Sequence, residues 1–511
     1  MASTSATTLS SLQELEGGAG VIPHEPSVLA GRSGATSSSL GWQDPPSNLA
    51  LAQVHYIVRH GERTPVRSRL QNADPPIPTR WNMCHAGRRF RAAVIDLAAV
   101  PTQSFPAATN GHDDLQGTGQ WVEARGEGDR RIRARTEHMQ VQRAVESTDK
   151  QDRPLQVDTG ECLLGELTDL GRSSTFLIGA RLRNLYVDKL GFLPRHLTQQ
   201  QADHVYFRST NMPRTVESLQ SIVRGLLPET SAAPSSIPDN APFVPLILTR
   251  NGTSENLLPN TFACSRLRQL DSEFSKMAAA LHNPRLVKYD DAIAPHCDGQ
   301  PPRVDGHPRL NGVLDTVRAS VAHGLAVPKA FHDIKMMDDV ERAVVDEWFM
   351  GYNADEPAKQ TQFRRLAMGR FLDDLALRMG SKAIKEESEP LKLAIYSAHD
   401  TSLAGLLSTL DVFDQRWPAF TASVGLELFK DQTKPKNGWF GRGQKPHYVR
   451  MRYGDKTLRL PACVREGDHY PGHQELCTLE AFTKTVESLR HPQGYSWEKE
   501  CDEGRPARSS K

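Results

Sequence analysis

Long apolar runs are missing from this 511-residue chain: nowhere do 18 apolar residues follow one another, so nothing in it reads as a membrane-spanning helix. Net charge is missing too. With 62 basic against 61 acidic residues the formal charge is +1, so no whole-molecule field draws the chain to nucleic acid, and any recognition of anions has to be local. Cysteines are few: seven, at 84, 162, 264, 297, 463, 477 and 501, unevenly spaced and without a C-x-x-C pair. That excludes a disulfide-dense secreted scaffold and leaves room for one or two bridges. The opening stretch, MASTSATTLSSLQELEGGAG, lacks the basic and apolar regions of a signal peptide, and Glu14 and Glu16 do not suit a mitochondrial presequence. The default reading is an intracellular, cytoplasmic protein, with mitochondria as the alternative.

What is present is a hydrophobic fraction of 38%, enough for a sizeable core at a length that suits two or three globular units. Residues 1–48 are rich in Ser, Thr, Gly, Ala and Pro without apolar periodicity and read as a disordered leader. A second polar stretch holds RGEGDRRIRAR, with Arg125, Arg130, Arg131, Arg133 and Arg135, and reads as a solvated surface loop. Residues 491–511 read as a polar tail.

Three apolar stretches end alike. VHYIVRHGERTP, residues 54–65, runs as a strand through Val54, Tyr56 and Val58, then sets Arg59, His60, Glu62 and Arg63 at its end. DHVYFRSTNMPRTVESLQSIVRGLLP runs to Phe207 and Arg208, then shows a helical stripe of Val216, Leu219, Ile222, Val223 and Leu226. Thr210 or Asn211 is the expected cap of that helix, with Pro213 in its first turn. LKLAIYSAHDTSLAGLLSTL runs to Tyr396, then His399 and Asp400, then leucines at helical spacing. Strands alternating with helices imply a largely parallel sheet, and ligands bind such sheets beyond the carboxyl ends of the strands. If the three strands are neighbours, Arg59, His60, Arg63, Arg208, His399 and Asp400 converge.

Several guanidiniums around one point call for a dense anion, and a phosphate's oxygens match their forked donors. The same cations would depress the pKa of His60 and keep it neutral. A neutral imidazole beside phosphorus is a nucleophile, the arginines and His399 stabilise charge on the equatorial oxygens, and Asp400 is left to give a proton to the departing oxygen.

RHGERTP at 59–65, with RST at 208–210 and HD at 399–400, resembles the signature of the histidine phosphatase superfamily in its acid phosphatase branch. Within that branch the likeness is to lysophosphatidic acid phosphatases and their fungal relatives, carried also by GELTDLG at 165–171 and LPNTFACSRLRQ at 258–269. The resemblance implies an α/β fold: a mostly parallel central sheet flanked by helices, spanning residues 49–490, with an inserted, mostly helical cap at roughly 80–165 and 262–345. It implies His60 and Asp400 as catalytic residues and Arg59, Arg63, Arg208 and His399 as phosphate ligands. It also implies a small-molecule phosphomonoester as substrate, and Cys463 and Cys477 close together as a disulfide or a reduced pair. No cofactor or metal is expected, since Arg59, Arg63, Arg208 and His399 already supply the positive charge that a metal ion gives elsewhere. Lysophosphatidic acid is one expected substrate, with Trp81 or Trp348 along the path of its tail. The alternatives are a phytase-like inositol phosphate phosphatase and a phosphate-binding or scaffolding relative that has lost turnover.

Cys463, His469, His473 and Cys477 invite a zinc reading, but their spacing is not that of a standard module. Asn251-Gly252-Thr253 is a glycosylation sequon, expected to be unused in an intracellular protein.

Overall fold

The structure, a computed structural model, describes residues 40–96, 120–125, 131–146, 153, 159–228, 243–433 and 445–503. Its strands are β1 (Leu49–Arg59), β2 (Arg89–Asp96), β3 (Gln120–Arg125), β4 (Arg131–Gln142), β5 (Val205–Ser209), β6 (Ile247–Leu248), β7 (Leu393–Ala398), β8 (Ser423–Asp431), β9 (His447–Tyr453), β10 (Lys456–Leu458), β11 (His469–Tyr470) and β12 (His473–Thr478). The helices used below are α1 (Asp169–Arg183), α2 (Pro213–Leu226), α3 (Ser265–Leu286), α4 (Leu310–Ala322), α5 (Ile334–Phe349), α6 (Arg370–Lys385), α7 (Asp400–Thr409) and α8 (Trp497–Asp502).

Alternation along β1 explains the layering. Val54, Tyr56 and Val58 face one core with α1 and α2, while Ile57 faces the other with α6 and α7. A strand buried on both faces has to be central, and β1 is: the main sheet runs β11-β12-β9-β8-β1-β7-β5-β6, with β10 beside β9. Strands β1, β7, β5 and β6 are parallel, so their carboxyl ends lie along one edge; β8, β9, β12 and β11 continue the sheet antiparallel. The result is an α/β fold with a parallel centre flanked by helices.

A third core of Ile77, Trp81, Val313, Val317, Met336 and Val340 belongs to the cap. Its 262–345 portion is helical, built from α3, α4 and α5. The 80–165 portion differs from the expected helix, because β2, β4 and β3 form an antiparallel three-stranded sheet. The supposed surface loop is part of it: Arg131, Arg133 and Arg135 lie in β4, alternating with Ile132, Ala134 and Thr136, a period-two pattern that the charges hid. Arg130 lies outside the described residues.

Both chain ends depart from expectation. Leu40, inside the expected leader, is 1% exposed, and Trp42 packs on Tyr186 and Phe429 under the Arg450 guanidinium. Arg450 also donates to the Gln43 carbonyl at 2.6 Å, so the fold begins by Leu40; residues 1–39 lie outside the described ones. Within the expected polar tail, Trp497 and Cys501 of α8 are buried.

Three disulfides cross-link the chain where one or two were expected: Cys84–Cys162, Cys264–Cys501 and Cys463–Cys477. The last consumes both thiols on which a zinc site would depend. His469 and His473 turn instead to the Cys463 carbonyl and to Glu475.

Candidate active site

The parallel register brings the polar ends of β1 and β7 side by side. Arg59 is paired with Ala398, so His60 and His399, each the next residue, leave the sheet together, and their rings stand 5.7 Å apart. Behind His60 the chain has no room for a side chain. A Cβ on Gly61 would lie 2.3 Å from the Gly171 carbonyl oxygen, and one on Gly171 would lie 2.1 Å from that of Glu62, so the loop after β1 is pressed backbone to backbone on α1.

His60 is buried, and its side chain hydrogen-bonds through Nδ1 to the Gly61 carbonyl at 2.9 Å. A carbonyl only accepts, so Nδ1 carries the proton and Nε2 of the neutral ring carries the lone pair. Burial, then the cations Arg59, Arg214 and Arg63, push the His60 pKa well below its ordinary value, so neutral is the state the ring adopts. His399 is pushed down to about 3, again by burial first and Arg214 next. Its Nε2 lies 2.9 Å from Thr210 Oγ1, which in turn bonds Thr215 Oγ1. Thr210 therefore does not cap α2. Met212 stands at that helix's N-cap without a side-chain bond, followed by Pro213.

Arg59 is buried and engaged at both ends of its fork: Nη1 donates to the Pro418 carbonyl at 2.6 Å and Nη2 pairs with Asp400 Oδ2 at 2.7 Å. The Phe420 ring lies 4.3 Å under its guanidinium. Burial brings its pKa down to about 10, where it is still charged. Arg63 is gripped from the cap: Asp315 of α4 takes Nη2 at 2.8 Å and Nη1 at 3.4 Å, and its Oδ2 also accepts the Val66 N–H. For Asp400, burial alone would raise the pKa, but Arg59, Arg63 and His399 hold it below the usual carboxylate range.

Arg208, expected among the phosphate ligands, is not brought into this cluster. In the register Arg208 and Ile57 both stand level with Tyr396, so Arg208 lies two residues, about 7 Å, behind Arg59 along the strands. There its guanidinium pairs with Glu255 and bonds Asn256 at 2.8 Å.

The arginine that does face the histidines is Arg214, in the first turn of α2. Its carbonyl accepts from Ser218 Oγ at 2.7 Å, and the same Oγ accepts the Gly61 N–H at 3.1 Å, which ties that turn to the residue after His60. Arg214 lowers the pKa of both histidines, and its own is lowered by burial first and by Arg63 next. Among the described residues the buried Nε–H groups of Arg59, Arg63 and Arg214 have no hydrogen-bond partner, a donor set suited to an oxyanion. Arg214 had a signal in the sequence: it follows Pro213 at a helix start, directed to the same strand-end crevice. Asp315, Trp417 and Phe420 had none, since they come from the cap and from the loop after α7.

Of the two tryptophans considered for a substrate tail, Trp81 is buried in the cap core against His323. Trp348 is 41% exposed and packs on Trp417. Exposed apolar side chains occur instead beside Arg63: Val66, Leu163 and Leu164 are 45, 59 and 52% exposed. Thr64 Oγ1 binds the Leu163 carbonyl at 2.7 Å and Gly165 N–H binds the Pro65 carbonyl at 3.0 Å, fastening the two segments together.

The profile of the histidine phosphatase superfamily (branch 2) matches residues 50–454. A probable acid phosphatase of Schizosaccharomyces pombe is 33% identical over 482 residues, covering 88% of this chain and 93% of that one. The lysophosphatidic acid phosphatase type 6 of Homo sapiens is 29% identical over 336 residues, covering 64% of this chain and 67% of its own. Among solved structures, the apo form of Hafnia alvei phytase aligns with a TM-score of 0.49 at 13% identity, over 88% of this chain and 100% of that one. The chain belongs to the histidine phosphatase superfamily, branch 2, and is a phosphomonoester hydrolase of the acid phosphatase kind.

Proposed function

We propose that the chain cleaves phosphomonoesters through a phosphohistidine on His60, with Asp400 as proton donor. The observation that carries this reading is the tautomer of His60, whose Nδ1–H is spent on the Gly61 carbonyl so that Nε2 holds a lone pair beside three arginines. Nε2 attacks phosphorus, the ester P–O bond breaks, and the leaving oxygen takes the proton of Asp400. Water then attacks the phosphohistidine, gives a proton to the Asp400 carboxylate and frees both His60 and phosphate. Arg59, Arg63, Arg214 and His399 stabilise the equatorial oxygens during both transfers. Rapid-quench labelling with a ³²P-monoester tests the mechanism. The expected product is an acid-labile, alkali-stable phosphoenzyme that His60→Ala abolishes; an acid-stable label, or turnover by that variant, would overturn it.

For substrate, the exposed Val66, Leu163 and Leu164 beside Arg63 support a monoester with an apolar tail, and the lysophosphatidic acid phosphatase relative supports the same class. Phosphate release from lysophosphatidic acid should proceed with higher kcat/KM than release from glycerol phosphate. Three disulfides support residence in an oxidising compartment over the intracellular default.

A further inference from the structure

The loop between α7 and β8 delivers more to the site than its length suggests. Pro418 gives a carbonyl to Arg59, Phe420 gives a ring to the same guanidinium, and Trp417 reaches Asp400. The indole Nε1 donates to Asp400 Oδ2 at 3.2 Å. The backbone N–H of Trp417 donates at 2.7 Å to Glu341 Oε1, a buried carboxylate of cap helix α5 that also pairs with Arg318 at 2.7 Å. The Trp417 ring packs on Phe349 at 5.5 Å and Trp348 at 6.0 Å between centroids, both on α5.

The two oxygens of Asp400 are thus unequal. Oδ1 accepts the Thr401 N–H at 2.8 Å at the start of α7, whereas Oδ2 accepts from Arg59 and Trp417. Oδ2 is the oxygen turned toward the phosphate ligands and so the one placed to carry the transferable proton. When a phosphate dianion takes up the Arg59 guanidinium, the indole N–H remains on Oδ2. An indole is a donor only, and it neither gains nor loses a proton over the range in which a carboxylate titrates. It therefore fixes the direction of the second lone pair and favours carboxylate over acid.

We propose that Trp417 is a positioning residue for the proton donor, linking cap helix α5 to Asp400 and setting the pH at which Asp400 gives up its proton. This rests on Asp400 being the proton donor. Among the described residues, the other charged and titratable groups facing Asp400 are Arg59 and Arg63 from the β1 end, Arg214 from α2 and His399 beside it. None of them lies on the loop that carries Trp417, so the indole contact is separable from theirs.

The test is the pH profile of kcat for an alkyl phosphate and for p-nitrophenyl phosphate in wild type, Trp417→Phe and Asp400→Asn. As a safeguard for the fold, a protein carrying benzothienylalanine at position 417 keeps the indole shape with sulfur in place of N–H. Loss of one donor to a carboxylate should move the alkaline limb of kcat upward by about 0.5 to 1 pH unit. It should also slow the alkyl ester several-fold at the pH optimum and leave p-nitrophenyl phosphate nearly unchanged. An unmoved limb in the benzothienylalanine protein overturns the inference, because a merely structural tryptophan would leave that limb where it is. Should Asp400→Asn slow both esters equally, the proton-donor reading itself falls and this inference with it. An ester-dependent loss in Asp400→Asn with an unmoved limb at position 417 defeats only the role of Trp417.

Discussion

Arg59 Nη2 lies 2.7 Å from Asp400 Oδ2, so in the free protein the proposed phosphate ligand and the proposed proton donor neutralise one another. The pairing holds Asp400 ionised, which is the wrong state for a general acid. A bound phosphate dianion competes for Arg59 and returns Asp400 toward protonation, so substrate itself prepares the donor. Activity falls as pH rises through the pKa of a group that must be protonated. The alkaline limb of kcat, which reports the complex, should therefore lie at higher pH than that of kcat/KM, which reports the free enzyme. Asp400→Asn should slow alkyl phosphates by about 10² to 10⁴ and p-nitrophenyl phosphate much less, since p-nitrophenolate leaves without a proton. Profiles of both constants on the two esters check this, and coincident limbs with equal losses would assign Asp400 to phosphate binding.

Arg208 and Arg214 make opposite predictions from neighbouring positions. Arg214→Ala should lower kcat/KM by about 10² to 10³ and weaken inhibition by inorganic phosphate, as expected for a lost donor to the transferring group. Arg208→Met should leave phosphate affinity intact in the protein that folds. It should cost stability on the order of 3 kcal/mol, because Glu255 would stay buried without its charged partner, left to the N–H groups of Asn256 and Leu257. Thermal unfolding and phosphate inhibition constants separate the two. A stable Arg208→Met that no longer binds phosphate would restore Arg208 to the site.

These two arginines also mark how far the sequence could be read. Arg59, His60, His399 and Asp400 were legible because each follows an apolar strand directly and parallel strands end along one edge. Arg208 follows a strand too, but β5 sits two residues deep in the register, and pairing register is not written in one strand's own residues. Arg214 was within reach through Pro213 and the helix start. Asp315 and the Cys264–Cys501 link were not, since each contact joins segments far apart in sequence, 252 residues for Arg63 with Asp315 and 237 for the disulfide. Trp417 stands only 17 residues from Asp400, but it lies in a loop, where no strand or helix period shows which way a side chain turns. In β4 the failure was of another kind: the alternation lies in the strand's own residues, but a dense run of arginines reads as a solvated loop and hides it.

The cross-links carry their own prediction. Cys501→Ser opens a 237-residue loop and exposes α8 to fraying from α3, so stability should fall by about 2 to 5 kcal/mol, and the melting temperature of the wild type should drop at least as far once dithiothreitol has reduced all three links. Asn251 of the Asn-Gly-Thr sequon is exposed, and in the oxidising compartment proposed above it would carry glycan. Intact mass before and after peptide N-glycosidase checks that. An unmodified protein isolated from its host with six reduced thiols would return the compartment to the intracellular default.

Catalysis should need no divalent metal, because Arg59, Arg63 and Arg214, with the neutral His399 ring beside them, already supply the donors and positive charge that a metal ion brings to phosphoryl transfer elsewhere. Activity should survive prolonged EDTA treatment, and vanadate should inhibit by adopting five-coordinate geometry at the same donors. Loss of activity on chelation, restored by one metal, would contradict this.

The apolar rim offers the sharpest test of substrate class. Val66, Leu163 and Leu164 are fastened beside Arg63 through Thr64, Gly165 and Asp315, yet about half of their surface is left in water. An acyl chain laid across them would remove that surface from solvent, and covering one leucine side chain in full stabilises by roughly 1.5 to 3 kcal/mol. Partial cover of two leucines thus corresponds to a factor on the order of 10 to 100 in kcat/KM. Leu163→Ser combined with Leu164→Ser should lower kcat/KM for long-chain lysophosphatidic acid by that factor, with less effect on a short-chain analogue and none on glycerol phosphate. Because both positions are exposed, the melting temperature should hold, and a general loss of fold would show on all three substrates alike. An unchanged ratio of long-chain to glycerol phosphate turnover would mean that the tail, if bound at all, leaves the site in another direction, past Trp417 and Trp348.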